Sequence, residues 1–385
     1  MEGLFSFNEN WSWRTFFLYI TISTIISCLC YYSLNSRFSK YKIKYYGSVI
    51  IEKFSIHDFL SIALLTFIAT IRSSQVGTDT QGYIDEFLYS QYLDIDVIRI
   101  MTFHEMEPGY RLLLYVVRSF TDNYHILFFI IYAPLSAAYV SFIKYFYRKN
   151  DHFIFLLYFI FLFTSNMSGM RSAIAMIFLL PSFILIDKNK YKDACFFTII
   201  ACTFHYTYLY NFFVILLSKL CKENKNKLIE KKAWLIGLSG AFLVAALGSS
   251  LVLKLFEETK YSFYTNKAEE MTYLGSMIFV IYGVLAFLYY DRIIKLDSRK
   301  YTLLVISLSF IVLYPLLFIT GAYRIANYYA MPRLVIWDTI LSIILLNATS
   351  KSKVIIELSF IFLLILYLLF RFSKSAADGG FIYSI

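Results

Sequence analysis

Charge is scarce in this chain. Asp, Glu, Lys and Arg make up 16% of its 385 residues, while 59% are hydrophobic. Soluble domains carry about 25% charged residues and about 45–50% apolar ones, so a chain that coats itself with polar side chains in water is excluded. Cysteine is also sparse. Cys28, Cys30, Cys195, Cys202 and Cys221 lie in or beside apolar segments. Only Cys28-x-Cys30 is closely spaced, which is short of a structural zinc pattern, so all five are expected as core residues. A GxxxxGK[ST] loop, HExxH, GxSxG and paired CxxC are all absent, which leaves ATP-driven transport and zinc-dependent hydrolysis without residues to rest on. Within the apolar runs the charges are few: Asp58 and Asp338 near run ends, and Glu357 in the last run. Ion-coupled transporters use ionisable groups at the membrane midplane and internal repeats, and neither is visible.

Apolar length is what the chain has in abundance. Spans are read at about 15–34, 56–72, 124–145, 152–165, 172–187, 191–204, 206–218, 233–252, 274–290, 301–320, 332–348 and 354–371. The hydrocarbon core of a bilayer is about 30 Å thick. The expectation is therefore an all-α polytopic membrane protein with about 12 transmembrane segments, residues 1–385 forming a single transmembrane domain. The first run, Phe16 to Leu34, is long enough to span and has no small-residue cleavage site.

The net charge of +10 does not point to nucleic acid, because the Lys and Arg residues collect in short loops between apolar runs. That pattern sets topology. The segments 35–55, 144–151, 187–193, 219–232, 291–300 and 349–353 are expected on the cytoplasmic side. Both termini and the segments 73–123, 166–171, 253–273 and 321–331 are then expected outside. Two places require special treatment. Residues 107–120 resemble a span but are short and carry Arg111 and Arg118, so they are expected as an amphipathic helix in the outer interface. Residues 191–218 must break near Thr203-Phe204-His205 if the Lys-rich 219–232 segment is to stay inside. Each half then covers only about 20 Å and needs shielding by protein or a wet cavity.

The longest hydrophilic interval runs from Arg72 to Arg111 and lies in the large outer loop. The remaining polar groups collect at the same face: Arg72, Asp79, Glu107, Arg111, Arg171, His205, Arg324 and Arg333. Arginines this near hydrocarbon either snorkel to headgroups or use their planar fork to hold phosphate bidentately. His205 is either a hydrogen-bonded core residue or, at a helix break, a functional one. Asp79 either caps a helix or binds a sugar hydroxyl or an Arg. Glu107 either starts a helix with Pro108 in its first turn or serves the site. Tyr83 and Tyr110 belong either to an interfacial aromatic belt or to a sugar-stacking surface.

One ordered set of short motifs is familiar. Val76-Gly77-Thr78-Asp79 with Tyr83, then Glu107-x-Gly109-Tyr110, then Met170-Arg171-x-x-Ile174-Ala175, then Phe204-His205-Tyr206 resemble the EpsG-like branch of the Wzy-type bacterial polysaccharide polymerases. The set covers roughly residues 60–220; Tyr206 stands where related sequences often have a small residue. The resemblance implies a metal-independent membrane glycosyltransferase with a GT-C-like helical core and no cofactor. It would sit in the bacterial cytoplasmic (inner) membrane and act at its outer face. Its substrates would be oligosaccharide repeat units on undecaprenyl diphosphate, destined for O-antigen, capsule or exopolysaccharide. A chain-length regulator and a flippase would be its partners in the pathway. His205 is the first candidate base, with Asp79 or Glu107 as the carboxylate alternative. Arg72, Arg111, Arg171, Arg324, Arg333, Tyr83 and Tyr110 would bind diphosphate or sugar. The competing readings are a lipid-linked oligosaccharide flippase or other polysaccharide transporter, and an acyltransferase that modifies surface glycans.

Overall fold

Where apolar residues run uninterrupted, the backbone can satisfy its own hydrogen bonds only as helix, and helix is what most of these runs adopt. The computed structural model describes residues 12–35, 41–45, 48–90, 107–148, 151, 156, 159–224, 226, 227, 230–237, 239, 240, 273–319, 328–346 and 348–377. The chain gathers into two compact units, one of Met1–Leu209 with Ala348–Ile385 and one of Tyr210–Asn347.

The first unit holds α1 (Trp13–Asn35), β1 (Tyr41–Tyr45), β2 (Ser48–Phe54), α2 (Ile56–Ile71), α3 (Thr80–Tyr89), α4 (Pro108–Arg118), α5 (Tyr124–Phe146), α6 (Phe159–Ser168), α7 (Met170–Asp187) and α8 (Tyr191–Phe204). The second holds α9 (Tyr210–Glu223), α10 (Tyr273–Leu288), α11 (Tyr290–Leu296), α12 (Ser298–Ile319) and α13 (Ala330–Leu346). The last helix, α14 (Ser350–Ala377), belongs with the first unit. Among the described residues, α1, α5, α7 and α14 are long and apolar enough to cross a membrane, and α2 is a shorter apolar helix.

The all-helical expectation needs one correction. The basic stretch 35–55 contains an antiparallel hairpin that pairs Tyr41 with Phe54, Ile43 with Ile51 and Tyr45 with Ser48. The reason is local: Tyr41-Lys-Ile-Lys-Tyr45 alternates polar and apolar residues, and Val49-Ile50-Ile51 is β-branched. Both features favour strand.

In the first unit α5 is central, packing against α2 on one side and α7 on the other. It buries Phe128, Ile131, Tyr132, Leu135 and Phe142. Pro134 in α5 and Pro181 in α7 lie inside their helices without ending them. At one end of the unit Ser55 and Asp58 form a capping box at the start of α2, with the Ser55 amide donating to Asp58 Oδ2 at 2.6 Å. Ser33 Oγ on α1 donates to Asp58 Oδ1 at 2.6 Å, and Lys144 at the end of α5 pairs with the same carboxylate. Tyr145 donates to Asp187 Oδ2 at 2.7 Å, which brings the end of α7 to the same place. The basic segments 35–55, 144–151 and 187–193 thus share one end of this unit.

The opposite end carries the C-termini of α2, α6 and α8 and the start of α7. There the Arg72 guanidinium, fully buried, donates to Ala69 O at 3.1 Å, to Tyr132 Oη at 3.0 Å and to Met167 O at 3.1 Å. It also lies 4.2 Å from the Phe128 ring centre and 4.6 Å from that of Tyr132. This knot fixes the turn that leads into α3. Gly77 in that turn has φ +101, a value that glycine adopts without strain. A Cβ there would also meet Thr80 Oγ1 at 2.6 Å and Ser168 Oγ at 3.0 Å.

The second unit is organised around Glu230. Its carboxylate is buried and accepts from Lys227 Nζ at 2.8 Å, from Tyr290 Oη at 2.7 Å and from Tyr301 Oη at 2.7 Å. The basic segments 219–232 and 291–300 therefore flank a shared polar cluster.

Candidate functional site

The site forms where three helix ends meet. Helices α7 and α8 pack side by side, joined by a turn in which Asn189 takes a left-handed conformation (φ 59). Asn tolerates this better than most residues. The turn sends the chain back, so the start of α7 and the end of α8 lie at the same end. Arg171 is in the first turn of α7, where a cation meets the positive end of the helix dipole, an unfavourable place unless an anion is supplied. His205 closes α8: its amide still donates to Ala201 O at 2.9 Å, but its own backbone is extended (φ −161, ψ 107). A short 3₁₀ turn, Tyr206–Leu209, follows. The expected break is therefore at His205 itself.

The anion is Glu107, the N-cap residue of α4. Its side chain makes no capping hydrogen bond and reaches across instead. Oε2 accepts from Arg171 Nη1 at 2.9 Å and Oε1 is 2.9 Å from His205 Nδ1. The Glu107 side chain is 2% exposed, whereas Arg171 is 30% and His205 22% exposed. A buried carboxylate thus holds a guanidinium and an imidazole that both reach the surface of the site. Burial raises the Glu107 carboxyl, but the His205 hydrogen bond and the charge of Arg171 outweigh it and hold the carboxyl below its ordinary range. An ionised carboxylate only accepts, so His205 Nδ1 carries the hydrogen of this bond, and in the tautomer it fixes the lone pair is on Nε2.

Gly109 makes this geometry possible. A Cβ at Gly109 would lie 2.6 Å from Thr203 Oγ1 and 2.9 Å from Thr203 O, so α4 can approach the end of α8 this closely only with glycine there. Helix α4 takes up most of the segment 107–120. It buries Tyr110, Leu114 and Val117 and exposes Leu112, Tyr115 and Val116. At 11 residues it spans only about 16 Å.

Helix α3 supplies the back wall. Tyr83 (7% exposed) and Tyr110 (0%) meet edge to face with ring centres 5.9 Å apart, and the Arg171 guanidinium carbon lies 5.9 Å from the Tyr83 centre. Both rings are buried, so they wall the site rather than offer an open stacking face. Burial pushes the Tyr83 hydroxyl up to about 12. Asp79 is the N-cap residue of α3 but makes no side-chain cap hydrogen bond; it acts electrostatically on Tyr83.

Of the residues singled out from the sequence, Glu107, Arg171, His205, Tyr83 and Tyr110 come together, with Asp79 beside Tyr83. Arg72 does not join them, because its guanidinium is enclosed in the α2–α5–α6 knot. Arg111 is partly exposed on α4. Arg333 lies in the second unit, 5.2 Å from the Phe310 ring centre, and Arg324 lies outside the described residues. The sequence reading missed Glu86, Thr203 and Ser172, whose Oγ is 3.2 Å from Tyr208 Oη. Only Glu86 left a signal, standing one helical turn after Tyr83 on the same face.

A sequence model of the EpsG family matches residues 55–384, which takes in every helix from α2 onward. No curated protein and no solved structure matches the chain.

Proposed function

The chain belongs to the EpsG family, and from that premise we propose that it polymerises oligosaccharide repeat units carried on undecaprenyl diphosphate, building an O-antigen, capsule or exopolysaccharide. In this reading about 12 segments cross the bacterial cytoplasmic membrane. The basic segments face the cytoplasm, and the Glu107 site faces the periplasm or cell exterior.

The observation that carries the chemistry is one buried carboxylate holding His205 and Arg171 together, each at 2.9 Å. Glu107 keeps the His205 hydrogen on Nδ1, so Nε2 takes the proton from the acceptor hydroxyl. General-base assistance of this kind typically contributes about a hundred- to ten-thousand-fold. The acceptor oxygen bonds to the anomeric carbon of the growing glycan while that carbon's bond to the diphosphate breaks. The electron pair leaves with the lipid diphosphate, already a good leaving group, and the proton on His205 then passes to solvent. Arg171 supplies positive charge as negative charge develops, and the reading assigns no metal to that role. One such preorganised donor is worth about 2.7–4 kcal/mol. Holding two lipid-borne substrates in one site supplies much of the rest.

The test uses the purified full-length protein and lipid-linked repeat units extracted from a strain lacking it. Wild type is expected to give a ladder of polymers and His205→Ala none, at equal protein level. In cells, loss of a polymerase leaves single repeat units on the surface. Loss of a flippase leaves none, and loss of an acyltransferase leaves full-length chains without a substituent. Wild-type chains from His205→Ala would remove it as the base.

A further inference from the structure

Glu107 holds the His205 ring, but the main chain that carries the ring needs holding too. His205 is extended and stands between the end of α8 and the 3₁₀ turn, outside regular helix. Displacing a catalytic group by about 1 Å costs on the order of a hundredfold in rate.

The chain on either side of His205 is fastened to α7. Before it, Phe204 stacks on Phe178, with ring centres 5.7 Å apart and planes at 7°. After it, Tyr208 reaches back. The Tyr208 amide donates to His205 O at 3.2 Å, and its ring centre lies 6.0 Å from that of His205. The Tyr208 hydroxyl ends on Ser172: it donates to Ser172 O at 3.2 Å and is 3.2 Å from Ser172 Oγ. A tyrosine hydroxyl has one hydrogen to give and lone pairs to accept with, so both contacts form together when Ser172 Oγ is the donor in the second. Ser172 follows Arg171 in the first turn of α7. His205 and Arg171 are therefore joined by a second connection that does not pass through Glu107.

Tyr208 is 1% exposed, which leaves it no surface for a sugar. Any buried tyrosine finds a partner for its hydroxyl. Here the partner is the residue beside Arg171, while the same tyrosine's amide holds the carbonyl of His205.

We propose that Tyr208 is a positioning residue, which with Ser172 forms a strut that sets the spacing between His205 and Arg171. This role rests on the polymerase reading. Glu107 fixes the direction of the ring and the nitrogen that bears its hydrogen. The strut fixes the main chain beneath it, so that an acceptor hydroxyl at His205 and a diphosphate at Arg171 meet at reacting distance.

Initial rates of the purified full-length protein, measured over a range of extracted lipid-linked repeat unit, test the strut. Tyr208→Phe keeps the ring and removes the hydroxyl. The maximal rate per molecule is expected to fall about ten- to a hundredfold, with the half-saturating concentration unchanged. Ser172→Ala removes one of the two contacts and leaves the carbonyl, so the expected fall is about threefold. The double variant should be no slower than Tyr208→Phe alone, because both changes cut one connection. Losses that multiply in the double variant would mark general loosening and overturn the strut. An unchanged maximal rate overturns it as well, and so does a raised half-saturating concentration at full maximal rate, which would make the pair a substrate contact. If Tyr208→Phe is poorly inserted, Ser172→Ala decides by the same two readouts. Each of these outcomes leaves the polymerase reading standing, whereas no transfer by the wild-type protein overturns both.

Discussion

Glu107→Gln is the most informative single change. The substitution keeps the shape of the side chain and removes its charge. One of its two positions becomes an NH₂ donor, so either Arg171 Nη1 or His205 Nδ1 loses its acceptor, both now at 2.9 Å. Breaking a buried ion pair by removing one partner costs about 3–5 kcal/mol. Arg171 keeps 30% of its side chain exposed, and water relieves part of that loss, which brings the expected destabilisation to about 2 kcal/mol. Activity should fall further than stability, because His205 loses both its orientation and the fixed position of its hydrogen. The expected drop is about a hundred- to ten-thousand-fold, the usual contribution of a general base. The sign of the pH dependence follows from the Glu107 carboxyl being held below its ordinary range. Between the folded and unfolded values the unfolded chain binds more protons, so this contribution is fully present above about pH 4.3 and is lost as pH falls through the lower folded value. The stability gap between wild type and Glu107→Gln should therefore be widest near neutrality and close in acid. Glu86 shifts the other way, chiefly through burial; the burial is common to both proteins and cancels in the difference, while the smaller part that the Glu107 charge adds is lost in the variant. The assays are a gel ladder of surface polysaccharide, a membrane blot of tagged protein, and thermal unfolding in detergent at several pH values. A wild-type ladder from Glu107→Gln would falsify the carboxylate-held dyad.

Three further outcomes are expected. Arg171→Lys keeps the charge and loses the planar fork; polymerisation should fall about thirty- to a thousandfold, giving mostly single or short repeats, and an unaltered ladder would make Arg171 a headgroup anchor. Gly109→Ala puts a Cβ 2.9 Å from the Thr203 carbonyl oxygen, so α4 must move off α8; about 1–3 kcal/mol of stability and most of the activity should be lost, and normal kinetics would show that the close approach is dispensable. In a Cys-free background, cysteines at the exposed Tyr89 and at position 260 should react with an impermeant reagent from outside, while those at 40 and 225 should not; labelling at 225 would overturn the proposed orientation.

Much was legible along the chain because membranes restrict backbone so strongly. Apolar runs with no competing polar group became helices close to where hydropathy places them, and Lys-rich segments marked shared polar clusters, where Lys144 and Lys227 pair with buried carboxylates. The break at His205 was legible too, since one uninterrupted helix would have carried the Lys-rich 219–232 segment to the side opposite the one expected for it. The candidate residues could be named but not joined. Sequence left Glu107 undecided between helix cap and site residue, and left Arg171 undecided between snorkelling and substrate binding. Their pairing through a buried carboxylate depends on α4 lying against the end of α8, which only the glycine–threonine contact permits. Arg72 looked equivalent to Arg171, each an arginine at a span end; packing on Phe128 and Tyr132 enclosed one, while the other, in the first turn of α7, stays partly exposed. Composition and spacing act along the chain and fix local structure. Which charges neutralise one another depends on distances between segments far apart in sequence, and those distances exist only after the helices have packed.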